Sequence, residues 1–154
     1  FNYDEVEKMI NIISEIRSFK NELGVSPGSF IDISTSKINK KNESFLIRNE
    51  IVLKKLGRVN SFHFKDLEKP SAALVISGDL FKIYFDENIN LSLIKSNLTK
   101  RQYKYKEEMN RISLRLSNKS FVDRAPKNIV DQEKTNYNNL KTDVEKITLT
   151  IESL

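Results

Sequence analysis

The side chains of this sequence best suited to binding chemistry are seven cations and one tyrosine between residues 95 and 115. They are Lys95, Lys100, Arg101, Tyr103, Lys104, Lys106, Arg111 and Arg115. Only two carboxylates, Glu107 and Glu108, lie among them. Lys and Arg clustered on one element are typical of proteins that bind a polyanion, and an exposed tyrosine among them can stack on an unpaired base. The segment is therefore a candidate nucleic-acid interface.

The remainder of the chain carries no net charge, so the whole imbalance of +5 belongs to this segment. Residues 1–90 hold 13 Lys and Arg against 13 Asp and Glu, and residues 119–154 hold six of each. An ordinary solvated helix face is the alternative explanation of such a stripe. Tyr103 fits equally well along the stems of neighbouring lysines. The residues alone leave both explanations open.

Catalytic chemistry has little support in the residue types. His63 is the single histidine, and the chain has no cysteine, which removes thiolate metal sites and disulfides. The carboxylates Asp66, Glu68 and Asp79 fall at predicted strand ends and turns, where such residues are common. The four glycines do not cluster ahead of a helix, as a phosphate-binding loop requires. We expect no catalytic, cofactor-binding or metal-binding residue in this chain.

Two heptad patterns indicate the element that positions the cations. In the first, Leu91, Leu98, Tyr105 and Ile112 recur every seven residues, with Met109 and Leu116 on the same face. In the second, Val130, Tyr137, Val144 and Ile151 alternate with Leu140, Ile147 and Leu154. Two apolar seams joined by a short linker predict an antiparallel coiled-coil hairpin.

The linker between the seams carries turn signals. Asn118 is predicted to end the first helix in a left-handed conformation. Phe121 and Val122 are expected to plug the open end of the hairpin. Pro126 suits the first turn of the second helix, where its missing N–H costs nothing.

The first 90 residues predict a small helix-on-sheet unit, so the fold class is α+β followed by the hairpin. An apolar stripe predicts a helix over residues 2–23 that stops at Gly24. A second helix is predicted over 43–56, capped by Asn42. Strands are predicted in four short apolar or alternating runs. They cover residues 30–34, 59–64, 72–76 and 80–85.

Bulk composition is that of a soluble protein rich in exposed helix, with 38% hydrophobic and 31% charged residues. No apolar run approaches the roughly 18–20 residues of a membrane span, and no secretory signal is visible. The absence of cysteine weakly favours a reducing compartment, and we expect the cytoplasm. The chain begins with Phe1 in place of an initiator Met, and we interpret it as a piece of a longer polypeptide.

Two segments carry a family resemblance. The hairpin turn resembles the C-terminal arm of bacterial valyl-tRNA synthetases through Lys100, Leu116-Ser117-Asn118, Phe121-Val122, Ala125-Pro126, Ile129-Val130 and Glu133. Residues 16–28 are similar to that family's Ile-Arg-x-x-Arg-x-Glu-Met-x-Val-x-Pro-Gly segment. Several positions depart mildly from the family pattern, and the change at Arg101 makes this arm more basic. They are Lys20, Leu23, Arg101, Arg115 and Ile129.

The resemblance implies a C-terminal fragment that is not itself an enzyme. Residues 1–23 would be the last helix of the anticodon-binding helical bundle, 24–90 a small α+β domain, and 91–154 a coiled-coil tRNA-binding arm. The arm would contact the elbow of a valine-specific tRNA, where the D and T loops meet. The parent class I enzyme would join valine to that tRNA with ATP and magnesium. The fragment would be monomeric, away from membranes, with the rest of the synthetase as its other partner.

A function from a different class remains open. The hairpin could be a coiled-coil protein–protein interaction module, with the cations serving only solubility. Retention on tRNA, compared with retention on equally charged heparin, separates the two hypotheses.

Overall fold

The computed structural model describes residues 2–154, which form six helices and four strands. In chain order they are α1 (Tyr3–Glu22), β1 (Ile31–Ser34), α2 (Lys40–Arg48), α3 (Glu50–Gly57), β2 (Val59–His63), β3 (Ala72–Ile76), β4 (Asp79–Phe85), α4 (Leu91–Ser117), α5 (Lys119–Arg124) and α6 (Lys127–Ser153). The predicted class is confirmed: a small sheet with helices, followed by a long helix pair.

The chain divides into two compact units. The first, here called the base unit, runs to Ile94 and includes Ser153–Leu154. The second, here called the arm, comprises Lys95–Glu152.

The base unit is built on a four-stranded sheet with the order β2-β1-β4-β3. β1 and β2 are parallel, whereas β4 is antiparallel to both β1 and β3. A parallel pair needs a crossover connection, which α2 and α3 supply. The hairpin between β3 and β4 turns at Ser77 and Gly78, whose φ angles are 50° and 85°. Two positive φ angles are typical of a tight two-residue hairpin.

One face of the sheet forms the base-unit core. Ile31 lies opposite Phe85 and Ile33 opposite Ile83, so these side chains share a face, and all four are buried. Helix α1 contacts α3 and β3, and its stripe is buried at Ile12, Ile13, Ile16 and Phe19. Helix α1 ends as predicted, with Gly24 at φ 71°.

The helix predicted over residues 43–56 is in fact two helices, α2 and α3. They meet at Asn49, whose side chain donates a hydrogen bond to the Phe45 carbonyl at 2.9 Å. This bond gives the local backbone an alternative to continuing the helix. The predicted cap at Asn42 is also wrong. Asn39 caps α2 instead, accepting from the Asn42 N–H at 2.8 Å.

The arm is formed by most of two 27-residue helices, α4 and α6, which are linked by the six-residue α5. The predicted left-handed Asn118 is wrong: its φ and ψ are −81° and 106°. Residues 119–124 form a helix of their own, so Asn118 serves as its N-cap and accepts from the Ser120 N–H at 3.1 Å. Phe121 is half-buried but Val122 is exposed, so Val122 does not plug the hairpin end as predicted.

Candidate nucleic-acid interface

The seam of the arm follows the predicted heptads. Every predicted apolar position on α4 and α6 is buried or half-buried. The most enclosed are Leu98, Ile112 and Val130, which are 3%, 2% and 6% exposed. Burying these positions fixes the rotation of each helix, and it therefore also fixes which side chains face solvent.

Polar contacts supplement the apolar seam. The Gln102 side-chain amide donates to the Thr148 hydroxyl at 2.7 Å, which joins α4 to α6. Thr150 is also buried, with its hydroxyl donating to the Lys146 carbonyl at 3.1 Å. A pattern based on apolar residues missed these positions. The sequence signal that could have found them is helical spacing, since Gln102 lies four residues after Leu98 and Thr150 lies three residues after Ile147.

Helix geometry arranges the cations of α4 in a stripe. Lys100, Lys104, Arg111 and Arg115 follow one another at steps of four, seven and four, which keeps them on one side of a helix. Arg101 borders the same side and is half-buried. Lys95 and Lys106 fall on the opposite flank of the seam. The predicted residues therefore form one main stripe and a smaller second group.

The lysines of α4 are open to solvent. Lys100 and Lys104 in the N-terminal half of the stripe, and Lys95 and Lys106 on the opposite flank of the seam, are all exposed. Among residues 2–154, none of them forms an ion pair with a carboxylate. Their ammonium groups can approach an external phosphate without first leaving an internal partner.

The C-terminal half of the stripe is partly neutralised. Glu108 lies 3.2 Å from Arg111 and 3.9 Å from Arg115. Arg115 also reaches across to Glu133 on α6, at 3.3 Å. The Glu133 Oε2 atom is buried and has no hydrogen-bond partner within the described chain, so losing Arg115 would leave this carboxylate poorly compensated. Sequence reasoning predicted Arg115 as a binding residue and missed this contact between the helices.

Tyr103 lies beside the open half of the stripe and is 65% exposed. A hydrogen bond from its phenol to the Glu107 carboxylate raises the pKa of Tyr103. A neutral, exposed ring among cations is suited to stacking on a base.

Helix α6 offers no comparable surface. Its lysines are Lys127, Lys134, Lys141 and Lys146. They are balanced by Asp131, Glu133, Asp143, Glu145 and Glu152. The positive field of the arm therefore originates from α4.

The base unit brings His63 close to two other polar side chains. The Ser61 hydroxyl lies 2.8 Å from His63 Nε2 and donates to Asp32 at 2.6 Å. The carboxylate thus contacts the hydroxyl and not the imidazole, unlike a triad in which the acid orients the base. No group of three or more His, Cys, Asp or Glu residues in the range 2–154 is placed to hold a metal ion.

None of the helices between residues 2 and 154 is long and apolar enough to cross a membrane.

Comparisons with known proteins agree with the resemblance in the turn. Residues 91–154 match the family described as the valyl tRNA synthetase tRNA binding arm. The chain is 68% identical over 98% of its length to the valine–tRNA ligase of Pelagibacter ubique. It is 29% identical over 84% of its length to that of Francisella tularensis, and 26% over 97% to that of Bartonella quintana. It spans only 17%, 15% and 17% of the lengths of these relatives.

Proposed function

We propose that this chain binds tRNA through α4 as part of a valine–tRNA ligase, which the match of residues 91–154 to the valyl tRNA synthetase tRNA binding arm family supports. The observation that carries the proposal is the open, unpaired half of the cation stripe. It lies on the helix that holds the whole net charge of the chain. Phosphate binding needs such cations, because the counterions that leave the RNA when lysines bind its phosphates drive the association.

The tRNA that we propose is valine-specific, and the contact is with its elbow, where the D and T loops meet. Binding there would position the tRNA for aminoacylation by catalytic parts of the enzyme that this chain does not include. Those parts would join valine to the tRNA with ATP and magnesium. The contribution of this chain would be to bind and orient.

The proposed contact residues differ in how freely their charged groups can reach a phosphate. Lys95, Lys100, Lys104 and Lys106 are the primary phosphate ligands of the proposal, because they are exposed and unpaired. Next to these lysines, Arg101 supplies a further cation and Tyr103 a stacking surface. Arg111 and Arg115 are secondary, since their guanidinium groups already contact carboxylates of the arm.

We propose that the chain contains three consecutive structural parts. Residues 1–23 would end the anticodon-binding bundle, 24–90 would form a small α+β domain, and 91–154 would form the arm. We propose that the protein acts as a monomer in the cytoplasm.

Competition between tRNA and heparin tests the proposal against a protein–protein interaction module. The chain is immobilised and loaded with labelled tRNA at low salt, and the bound tRNA is then challenged with heparin of matched charge. We expect tRNA binding that weakens steeply as salt rises. Absence of binding, or binding that is indifferent to salt, would contradict the proposal and favour the protein-interaction alternative.

A further inference from the structure

A second cluster of cations lies in the base unit, around the C-terminal end of α3. Arg17 donates to the Leu56 carbonyl from both Nε and Nη2, at 3.1 and 2.8 Å. Lys20 points to the next carbonyl, that of Gly57, at 3.5 Å. Arg58 follows directly in the chain. Three positive side chains therefore converge on three consecutive backbone positions.

Carboxylates do not neutralise this cluster. No ion pair formed by residues 2–154 includes Arg17, Lys20 or Arg58. Lys20 is 2% exposed, and burial together with the charges of Arg58 and Arg17 lowers its pKa. The negative end of the α3 dipole offsets part of this charge. The charges of Arg58 and Arg17 nevertheless repel the Lys20 ammonium, and an anion bound near the two arginines would offset part of this repulsion.

Arg58 is the C-cap of α3, with its backbone N–H donating to the Lys54 carbonyl, but no structural role accounts for its side chain. Arg17 and Lys20 satisfy carbonyls that the end of α3 leaves without partners. Arg58 is exposed, and its side chain makes no hydrogen bond to residues 2–154. Its backbone is left-handed, with φ 55° and ψ 47°, a conformation that glycine or asparagine adopts with less strain. A left-handed arginine whose side chain makes no hydrogen bond or ion pair within residues 2–154 is a reasonable starting point for a functional hypothesis.

An exposed aromatic ring completes the surface. The Arg58 guanidinium lies 5.7 Å from the centroid of the Phe30 ring, and Phe30 is 50% exposed. A guanidinium next to a solvent-exposed ring offers both charge for a phosphate and a flat surface for a base.

We propose that Arg17, Arg58 and Phe30 form a second RNA-binding surface, which takes a single-stranded segment of tRNA. The cations contact its phosphates and Phe30 stacks on a base. The ligand rests on the proposed tRNA binding, whereas the surface itself is distinct from α4. Unpaired RNA is favoured over duplex because stacking on a side chain needs a base that is not already stacked.

Substitutions at Arg58 and Phe30 separate charge from stacking. Arg58→Asn suits the left-handed backbone, so the melting temperature should not fall, yet one phosphate contact is lost. We expect the Kd for tRNA to rise about three- to tenfold near 0.1 M salt, with the slope of log Kd against log salt falling by about one. Phe30→Leu should weaken binding without changing that slope.

Matched controls make the test decisive. Lys41→Gln removes one exposed charge from the base unit, and it should change the Kd less than twofold. A variant of the arm, with Lys100, Arg101 and Lys104 replaced by Ala, reports on the proposed function separately. If the arm variant loses affinity while Arg58→Asn behaves like Lys41→Gln, the second surface is refuted and the proposed function survives. If wild-type chain does not bind tRNA, both are refuted.

Ultraviolet cross-linking of the wild-type complex gives an independent readout. A cross-linked peptide containing Phe30 would support the surface. Cross-links confined to α4 in repeated experiments would refute it.

Discussion

Removing the open half of the cation stripe is the sharpest perturbation of the arm. Lys100, Arg101 and Lys104 are replaced together by alanine, which favours helix. The matched control replaces Lys134, Lys141 and Lys146 on α6, which are also exposed and cationic. Both variants lose three positive charges, so they differ in where the charge is removed and not in how much.

The expected loss of tRNA affinity in the α4 variant follows from counterion release. Each phosphate contact contributes roughly 0.7–0.9 to the slope of log affinity against log salt. Three contacts therefore account for a slope of about 2.1–2.7. A fourfold rise in salt concentration thus lowers their contribution to the tRNA affinity by about 20- to 40-fold. Near 0.1 M salt the variant on α4 should bind on the order of 100-fold more weakly than wild type.

Fluorescence anisotropy with labelled tRNA at four or five salt concentrations measures both the tRNA affinity and its dependence on salt. Circular dichroism on the same samples should show unchanged helix content. The α6 variant should keep most of the wild-type slope. If the two variants lose affinity and slope equally, the cations of α4 act only through net charge, and the reasoning from their position is wrong.

Three further predictions concern the arm. Glu108→Gln removes the carboxylate that two arginines of the stripe contact, so fluorescence anisotropy should show higher tRNA affinity. The slope of log affinity against log salt should increase by up to about one. An unchanged slope would mean that these arginines do not reach phosphate. Ile147→Asp places a charge in the seam and should cost at least about 3 kcal/mol of arm stability, measured by hydrogen exchange. Equal loss of protection in strands 72–85 would contradict independent folding of the two units. Phe121→Ala should cost about 1–3 kcal/mol, because the ring is only half-buried, with faster exchange confined to α5 and its neighbours.

The sequence predicted the arm well because one physical rule dominates it. A seven-residue apolar repeat determines which side of each helix is buried, and all the predicted seam positions are at least half-buried. The charge asymmetry was equally visible, since counting residues needs no coordinates. The pairing of Arg115 with Glu133 was not, because it depends on how residues 18 positions apart are brought together across the hairpin.

Local backbone choices were harder to predict. The break at Asn49 and the extended Asn118 both depend on which backbone group an asparagine side chain reaches. The same residue type favours caps, turns and left-handed positions, so its identity alone does not select among them. The surface around Arg58 was invisible to sequence reasoning for a related reason: Arg17 and Arg58 lie 41 residues apart and meet only once α1 packs on α3.

The enclosure of Lys20 also gives the protein an internal reporter of opening. It is one of 19 lysines, and its ammonium is hidden among α1, α3 and the turn at Ser29. A reagent that acylates amines would modify accessible lysines at the rate of simple solution chemistry. It would reach Lys20 only when α1 lifts away, so the rate of labelling at this single amine would time that event. Mass spectrometry of one peptide could then follow the breathing of the base unit without any introduced probe.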